Sequence, residues 1–143
     1  MVHGRSSKAL EIYTTQVKNH PNDINAIEAM GDYYDIQGLR QLALDTWKKI
    51  ENVSMDKTTK LETLARIYDE HGYADESMAL YAKVVKDNPR DCQLLRSYAE
   101  VLSRGNRSQE AVEAYENLSD ICQNEATTQI AARAVAQIQR SKG

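Results

Sequence analysis

The sequence predicts an all-α fold, a right-handed superhelical solenoid of antiparallel helix pairs with about eight helices. The main observation is a period of 34 residues, because the only two prolines, Pro21 and Pro89, stand two such steps apart. Four aromatic residues follow the same step: Tyr13, Trp47, Tyr81 and Tyr115. A small residue precedes each of them by four positions: Ala9, Ala43, Ser77 and Ala111. Self-similarity at such a period is typical of a solenoid, in which each unit buries its apolar face against its neighbours.

Apolar residues recur at helical spacing within each period and divide it into two helices. The two runs are separated by Gly38 in the first full unit and by Gly72 in the second, where a left-handed residue commonly ends a helix. In the third unit the break falls at Gly105 and Asn106, with the glycine one residue early. The predicted helices cover residues 6–19, 22–36, 39–52, 56–70, 74–87, 91–104, 107–122 and 125–140.

The period also divides the chain into segments. Residues 1–7 are a leader without an apolar pattern, compatible with disorder, and 8–23 form a half repeat that holds only a second helix. Three full repeats follow at 24–57, 58–91 and 92–125, and 126–143 form a capping helix and tail. We expect the last helix to cover the final core face with a stripe that contains Ile130, Ala134, Val135 and Ile138. The chain opens on a second helix, which fits either a natural end of the array or an excised piece of a longer one, and we favour excision.

Small residues mark the places where paired helices should cross closely. Gly31, Ala65 and Ala99 keep the 34-residue step on the first helix of each unit. The aromatic residue on the second helix, such as Trp47, then fills the space between units, and its truncation should cost about 3–5 kcal/mol.

These residues resemble the tetratricopeptide repeat, whose 34-residue pattern is W-x2-L-G-x2-Y, then A-x3-F, then P. The three matching units are Ile27-x2-Met30-Gly31-x2-Tyr34 with Ala43-x3-Trp47, Leu61-x2-Leu64-Ala65-x2-Tyr68 with Ser77-x3-Tyr81 and Pro89, and Leu95-x2-Tyr98-Ala99-x2-Leu102 with Ala111-x3-Tyr115. The chain departs from the pattern at Met55 and Gln123, which stand where a unit would close with proline, and at Ser77 and Leu102. The resemblance covers about residues 8–122.

The resemblance implies a non-catalytic scaffold or adaptor that holds a peptide or helix of a partner protein in a concave groove lined by the first helices. The groove positions carried over from the family are Asn25, Glu28, Asp32, Asp35, Glu62, Arg66, Asp69, Gln93, Arg96, Glu100 and Arg104. The early positions are acidic and the late ones include arginines, so we expect a protein or peptide partner with a basic segment, and neither nucleic acid nor membrane. Self-association stays open. The plainer interpretation is that these residues are solvated helix faces, and an alternative is a docking or regulatory module of a larger multidomain protein or enzyme.

Two other binding classes are disfavoured. Repeat proteins of this family that clamp acidic chaperone tails use lysine, arginine and asparagine in the groove, whereas the matching positions here are Glu28, Asp32, Thr63, Gln93 and Ser97. A helical-repeat RNA binder needs a basic surface, whereas the net charge of this 143-residue chain is −3.

We predict no catalytic residue, no metal site and no cofactor. The chain has no phosphate-binding loop, and its three histidines form no HExxH motif. Ser54 and Lys57 match an S-x-x-K spacing, but they fall at a turn between units, where Ser54 or Asp56 would cap the next helix.

The two cysteines, Cys92 and Cys122, show no CxxC or zinc spacing. We expect two buried thiols in a reducing compartment, and therefore a cytoplasmic protein.

Overall fold

The computed structural model describes residues 2–142, and the side chains of residues 7–141. This part of the chain contains eight α-helices, one short 3-10 segment and no strand, which confirms the all-α prediction. The elements are α1 (Val2–Asn19), α2 (Ile24–Ile36), α3 (Arg40–Lys48), the 3-10 segment (Lys49–Asn52), α4 (Lys57–Glu70), α5 (Ala74–Asp87), α6 (Cys92–Arg104), α7 (Ser108–Ile121) and α8 (Glu125–Lys142).

The helix bounds agree with the prediction to within two residues except at two places. Helix α1 begins at Val2, so residues 2–7 of the predicted leader lie within it, and Met1 lies outside the described residues. The third predicted helix narrows to a 3-10 turn from Lys49 onward.

The helices form two compact units, and the boundary between the units falls within α4, after Ile67. In the first unit α2 packs against both α1 and α3. In the second unit α6 packs against both α5 and α7, and α8 packs against α7. Turns of a few residues join the partners of each hairpin, so consecutive helices run antiparallel.

The turns that close the first helices repeat the same backbone at every 34-residue step. A left-handed residue follows each helix: Gly38 (φ 77°), Gly72 (φ 83°) and Asn106 (φ 61°). The next N–H donates back to a carbonyl five residues earlier, from Leu39 to Tyr34, from Tyr73 to Tyr68 and from Arg107 to Leu102, at 2.9, 2.8 and 3.0 Å. Gly105 has φ −85°, so Asn106 and not the glycine takes the left-handed position. The third repeat therefore keeps the 34-residue step.

Acidic or amide side chains cap the start of the helices that follow the turns between repeats. The caps and the N–H groups they accept from are Asp23 with Ala26 (3.3 Å), Asp56 with Thr59 (2.9 Å), Asp91 with Leu94 (3.2 Å) and Asn124 with Thr127 (2.8 Å). Hydrogen bonds from the Thr59 side chain and backbone lower the pKa of Asp56 below its ordinary value. The S-x-x-K spacing is therefore part of a helix cap, with Asp56 as the capping residue.

Six of the seven predicted small positions are buried at close helix crossings, and Ala9 is half-buried. Five of them have no exposed surface: Ala43, Ala65, Ser77, Ala99 and Ala111. Trp47 is also fully buried, and its Nε1 donates to the Glu28 carbonyl oxygen at 3.3 Å. A Cβ atom built on Gly31 would overlap the Trp47 indole ring. The crossing of α2 and α3 thus requires glycine where the aromatic partner is tryptophan.

The expectation of two buried free thiols is wrong, because Cys92 and Cys122 form a disulfide bond with their Cα atoms 5.9 Å apart. Cys92 is the exposed first residue of α6, and Cys122 is the buried residue that caps the end of α7. The two helices form an antiparallel hairpin, so the start of one meets the end of the other. The bond therefore closes the open end of the α6–α7 hairpin.

Candidate functional site

The predicted groove residues lie on three helices of the structure. Those on α2 are Asn25, Glu28, Asp32 and Asp35; those on α4 are Glu62, Arg66 and Asp69; and those on α6 are Gln93, Arg96, Glu100 and Arg104. The unit boundary in α4 separates Glu62 and Arg66 from Asp69, so the two sets are described in turn.

In the first unit, α2 presents a line of carboxylates. Glu28, Asp32 and Asp35 are spaced by four and three residues, which places them on one face of the helix. All three are half-buried, and the Oδ1 atom of Asp32 is shielded from solvent. Neither Glu28 nor Asp32 is fully exposed, because α2 lies against helices on both sides.

Helix α4 adds to this face through a contact across the helices. An Arg66 Nη atom lies 3.7 Å from a Glu28 Oε atom, and Glu62 precedes Arg66 by one helical turn. We call Glu28, Asp32, Asp35 and Glu62 the acidic surface. Counted together with Arg66, these four carboxylates give a formal charge of −3.

In the second unit, the corresponding residues pair off. Arg104 Nη2 lies 2.6 Å from Asp69 Oδ2, and Arg96 Nε lies 2.9 Å from Glu100 Oε1 within α6. Gln93, in the first turn of the same helix, is exposed and uncharged. Two carboxylates and two guanidinium groups leave no net charge, in contrast to the acidic surface of the first unit.

A buried tyrosine lies close to these α6 charges. Burial raises the pKa of the Tyr115 phenol above its ordinary value, and the Glu100 carboxylate raises it further, while Arg104 and Arg96 act in the opposite direction. Burial likewise raises the pKa of Tyr98. Both phenols therefore remain neutral at physiological pH, and the charges of this face come from the arginines and acids alone.

A hollow of about 310 Å³ adjoins the acidic surface in the first unit. It lies where the end of α1 meets the start of α2, and its walls include Gln16, His20, Asn25 and Ala29. The groove pattern of the family points only to first helices, so Gln16 of α1 and His20, which follows α1, were not predicted. They could have been found from their place at the end of the half repeat, beside the turn at Pro21.

A second hollow, of about 330 Å³, lies between α7 and α8 in the second unit. Tyr115, Ala131, Ala132 and Val135 give it mainly apolar walls. Ala131 and Ile138 of α8 are buried, whereas Ile130, Ala134 and Val135 are half-buried, so the predicted stripe of α8 faces its neighbours.

Among the side chains of residues 7–141, no cluster of three or more histidine, cysteine or acidic groups has the arrangement of a metal site. The helices of this part of the chain also lack a stretch with the length and apolarity needed to cross a membrane.

Comparison with known proteins identifies the fold. No family model and no curated protein sequence matches the chain. Solved structures do match, and the three named here each match over 99% of this chain. They include MamA (TM-score 0.62, 18% identity, 81% of that chain), YrrB, described as a TPR protein with an unusual peptide-binding site (0.62, 14%, 71%), and TPR-like repeats of a putative kinesin light chain from Podosopora anserina (0.61, 16%, 80%). Together with the 34-residue pattern, these likenesses show that the chain has the tetratricopeptide-repeat fold.

Proposed function

We propose that the protein is a non-catalytic interaction scaffold whose acidic surface binds a positively charged segment of a partner protein. The observation that carries this proposal is the formal charge of −3 on the acidic surface counted together with Arg66. The equivalent face of the second unit has no net charge. The likeness to YrrB, a repeat protein with a peptide-binding site, supports a peptide or protein as the ligand.

Half-burial of these carboxylates favours a role in binding. Charges at a partly desolvated surface are screened less by water and salt than fully exposed ones, so they attract a cationic ligand more strongly. A surface of one sign also speeds the encounter with a complementary ligand and repels ligands of like charge. The same argument disfavours nucleic acid on this face.

The experiment compares two variants with the same change in net charge. Glu28→Gln with Asp32→Asn neutralises the acidic surface with side chains of nearly equal size, since charge reversal of half-buried residues could unfold the unit. Asp45→Asn with Glu51→Gln neutralises two acids of α3 and the 3-10 segment, which lie outside the acidic surface. The probe is a fluorescein-labelled 12-residue peptide of lysine and serine, titrated by fluorescence anisotropy.

We expect the variant of the acidic surface to bind the peptide about tenfold more weakly, whereas the control pair stays close to wild type. Binding by the wild type should weaken as salt rises through the physiological range. Equal loss in both variants would mean that only the overall charge attracts the peptide, and the proposal would be rejected. Circular dichroism of each variant checks that the helices are intact.

A further inference from the structure

Three exposed aliphatic side chains follow the acidic residues of α2 in the sequence. Ile36, the last residue of α2, is 80% exposed, and Leu39 and Leu42, at the turn into α3 and in its first turn, are each 46% exposed. We call these three residues the aliphatic patch. They lie within seven residues of one another in the sequence and include the most exposed large aliphatic side chain among those described.

The fold itself does not require aliphatic residues at these positions. One repeat step later, the residues equivalent to Ile36 and Leu42 are Glu70 and Glu76, and two steps later they are Arg104 and Glu110. The backbone is nevertheless the same, because Leu39 and its equivalents Tyr73 and Arg107 begin their helices with nearly equal angles, φ −90°, −91° and −94°. Charged side chains therefore fit this turn, and an exposed isoleucine and leucine in the first unit need another explanation.

Ile36, the first residue of the aliphatic patch, continues the acidic surface along α2. Glu28, Asp32 and Ile36 follow one another at intervals of four residues, so they lie on one face of the helix. The hollow beside Asn25 and Ala29 lies at the start of the same face. The distance from Asn25 to Ile36 is about 16 Å along the helix axis, which a partner segment of about 11 helical residues would cover.

From this arrangement we propose that the partner segment is basic and amphipathic. Lysine or arginine side chains lie opposite the α2 carboxylates, and a bulky apolar side chain covers Ile36 and its neighbours in the aliphatic patch. This inference rests on the proposed function and adds the apolar part of the ligand. An amphipathic helix laid along a complementary helix face is a common mode of peptide recognition.

The decisive variant is Ile36→Glu, because charge and apolar contact predict opposite results for it. If only charge matters, a further carboxylate should tighten the binding of a basic peptide. If the aliphatic patch contacts the ligand, the loss of that contact should weaken binding about tenfold. Glutamate is the natural residue at the equivalent position 70, so the variant is expected to fold. Met55→Glu, which changes another exposed apolar residue of the same unit, serves as the matched control.

Two labelled 12-residue peptides serve as probes: one with lysines followed by two leucines, and one in which serine replaces both leucines. We expect wild type to bind the leucine peptide more tightly, and Ile36→Glu to abolish the difference while Met55→Glu preserves it. Equal binding of the two peptides by wild type, or unchanged or tighter binding of the leucine peptide by Ile36→Glu, would overturn the inference and leave the proposed function standing. A third peptide, in which glutamate replaces each lysine, tests the proposed function separately from this inference. If wild type bound it as tightly as the lysine peptide, the proposed function would be refuted.

Sedimentation velocity on the full chain tests a different occupant. We expect wild type and Ile36→Glu to sediment alike as monomers. A wild type that self-associates and an Ile36→Glu variant that does not would show that a second copy covers the aliphatic patch, and the proposed partner would be wrong.

Discussion

Removal of the Cys92–Cys122 disulfide should destabilise the protein by about 3–4 kcal/mol. The bond joins residues 30 positions apart in sequence and therefore closes a large loop in the unfolded chain. In the chain-entropy account, a loop of this length loses about 12 cal/mol/K, which is about 3.6 kcal/mol at 25 °C. Since many domains are stable by only about 5–15 kcal/mol, the effect should be easy to measure.

The variant for this test is Cys92→Ser with Cys122→Ala. Serine suits the exposed start of α6, and alanine avoids placing a hydroxyl group at the buried position 122. Urea unfolding followed by circular dichroism, with and without a phosphine reductant, gives the free energy of unfolding. We expect the reductant to destabilise wild type to the level of the variant and to leave the variant unchanged. The free energy of unfolding should also fall more steeply with urea concentration once the disulfide is lost.

The count of reactive thiols decides whether this reasoning holds. Unfolded wild type should show no free thiol before reduction and two afterwards. Two free thiols without reductant, or a reductant effect that persists in the variant, would refute it. The same count on protein isolated from its host bears on the compartment: an intact bond would favour an oxidising compartment, and two thiols would favour the cytoplasmic location expected from the sequence.

Two further predictions concern the core. Trp47→Ala should lower the free energy of unfolding by about 3–5 kcal/mol, because it leaves a cavity at a fully buried position and removes the hydrogen bond to the Glu28 carbonyl. Lys48→Ala, on the exposed side of the same helix, should change it by at most about 0.5 kcal/mol. Equal effects of the two variants in thermal unfolding would show that the inside and outside of α3 are misassigned. Removal of residues 124–143 should uncover Tyr115 and the face of α7 that α8 covers. We therefore expect the shortened chain to unfold at a lower temperature or to self-associate. A shortened chain that stays monomeric with an unchanged melting temperature would contradict a capping role for α8.

The 34-residue period predicted the fold because the packing and the turns both depend on local residue types. A buried position such as Ala99 must be small wherever two helices cross closely, and a left-handed turn needs a residue that tolerates positive φ, which Gly38 and Asn106 both do. These constraints act at each step and are therefore visible in the sequence. The start of α1 at Val2 was missed because no apolar pattern marks it.

The disulfide was missed for a different reason. Short motifs such as CxxC find cysteines that are close in sequence, whereas Cys92 and Cys122 are brought together by the hairpin. They lie 14 and 16 residues from the turn residue Asn106, and residues at similar distances from an antiparallel turn lie side by side. The predicted helix pair therefore contained the information, once each cysteine is placed relative to the turn.

The charges of the site could be predicted only in part. The acidic character of α2 follows from residue identity at groove positions, but half-burial of Glu28 and Asp32 depends on how closely the neighbouring helices pack. The Asp69–Arg104 pair joins residues 35 positions apart, one more than the period, so it links residues that are not equivalent in the repeat. Contacts of this kind follow from side-chain reach across neighbouring helices, and a pattern of residue types does not specify them.

Trp47 connects the core to the acidic surface. It is the only tryptophan, and its ring packs against α2 at Gly31, where the other two full repeats have alanine. Its ring N–H donates a hydrogen bond to the carbonyl oxygen of Glu28, and the Glu28 side chain lies close to Arg66 of α4. The larger ring and the smaller crossing residue thus set how closely α2 approaches α3 beside the acidic surface. We therefore expect the packing at Trp47 to hold the α2 carboxylates in place, so that changes in this part of the core alter binding at the acidic surface as well as stability.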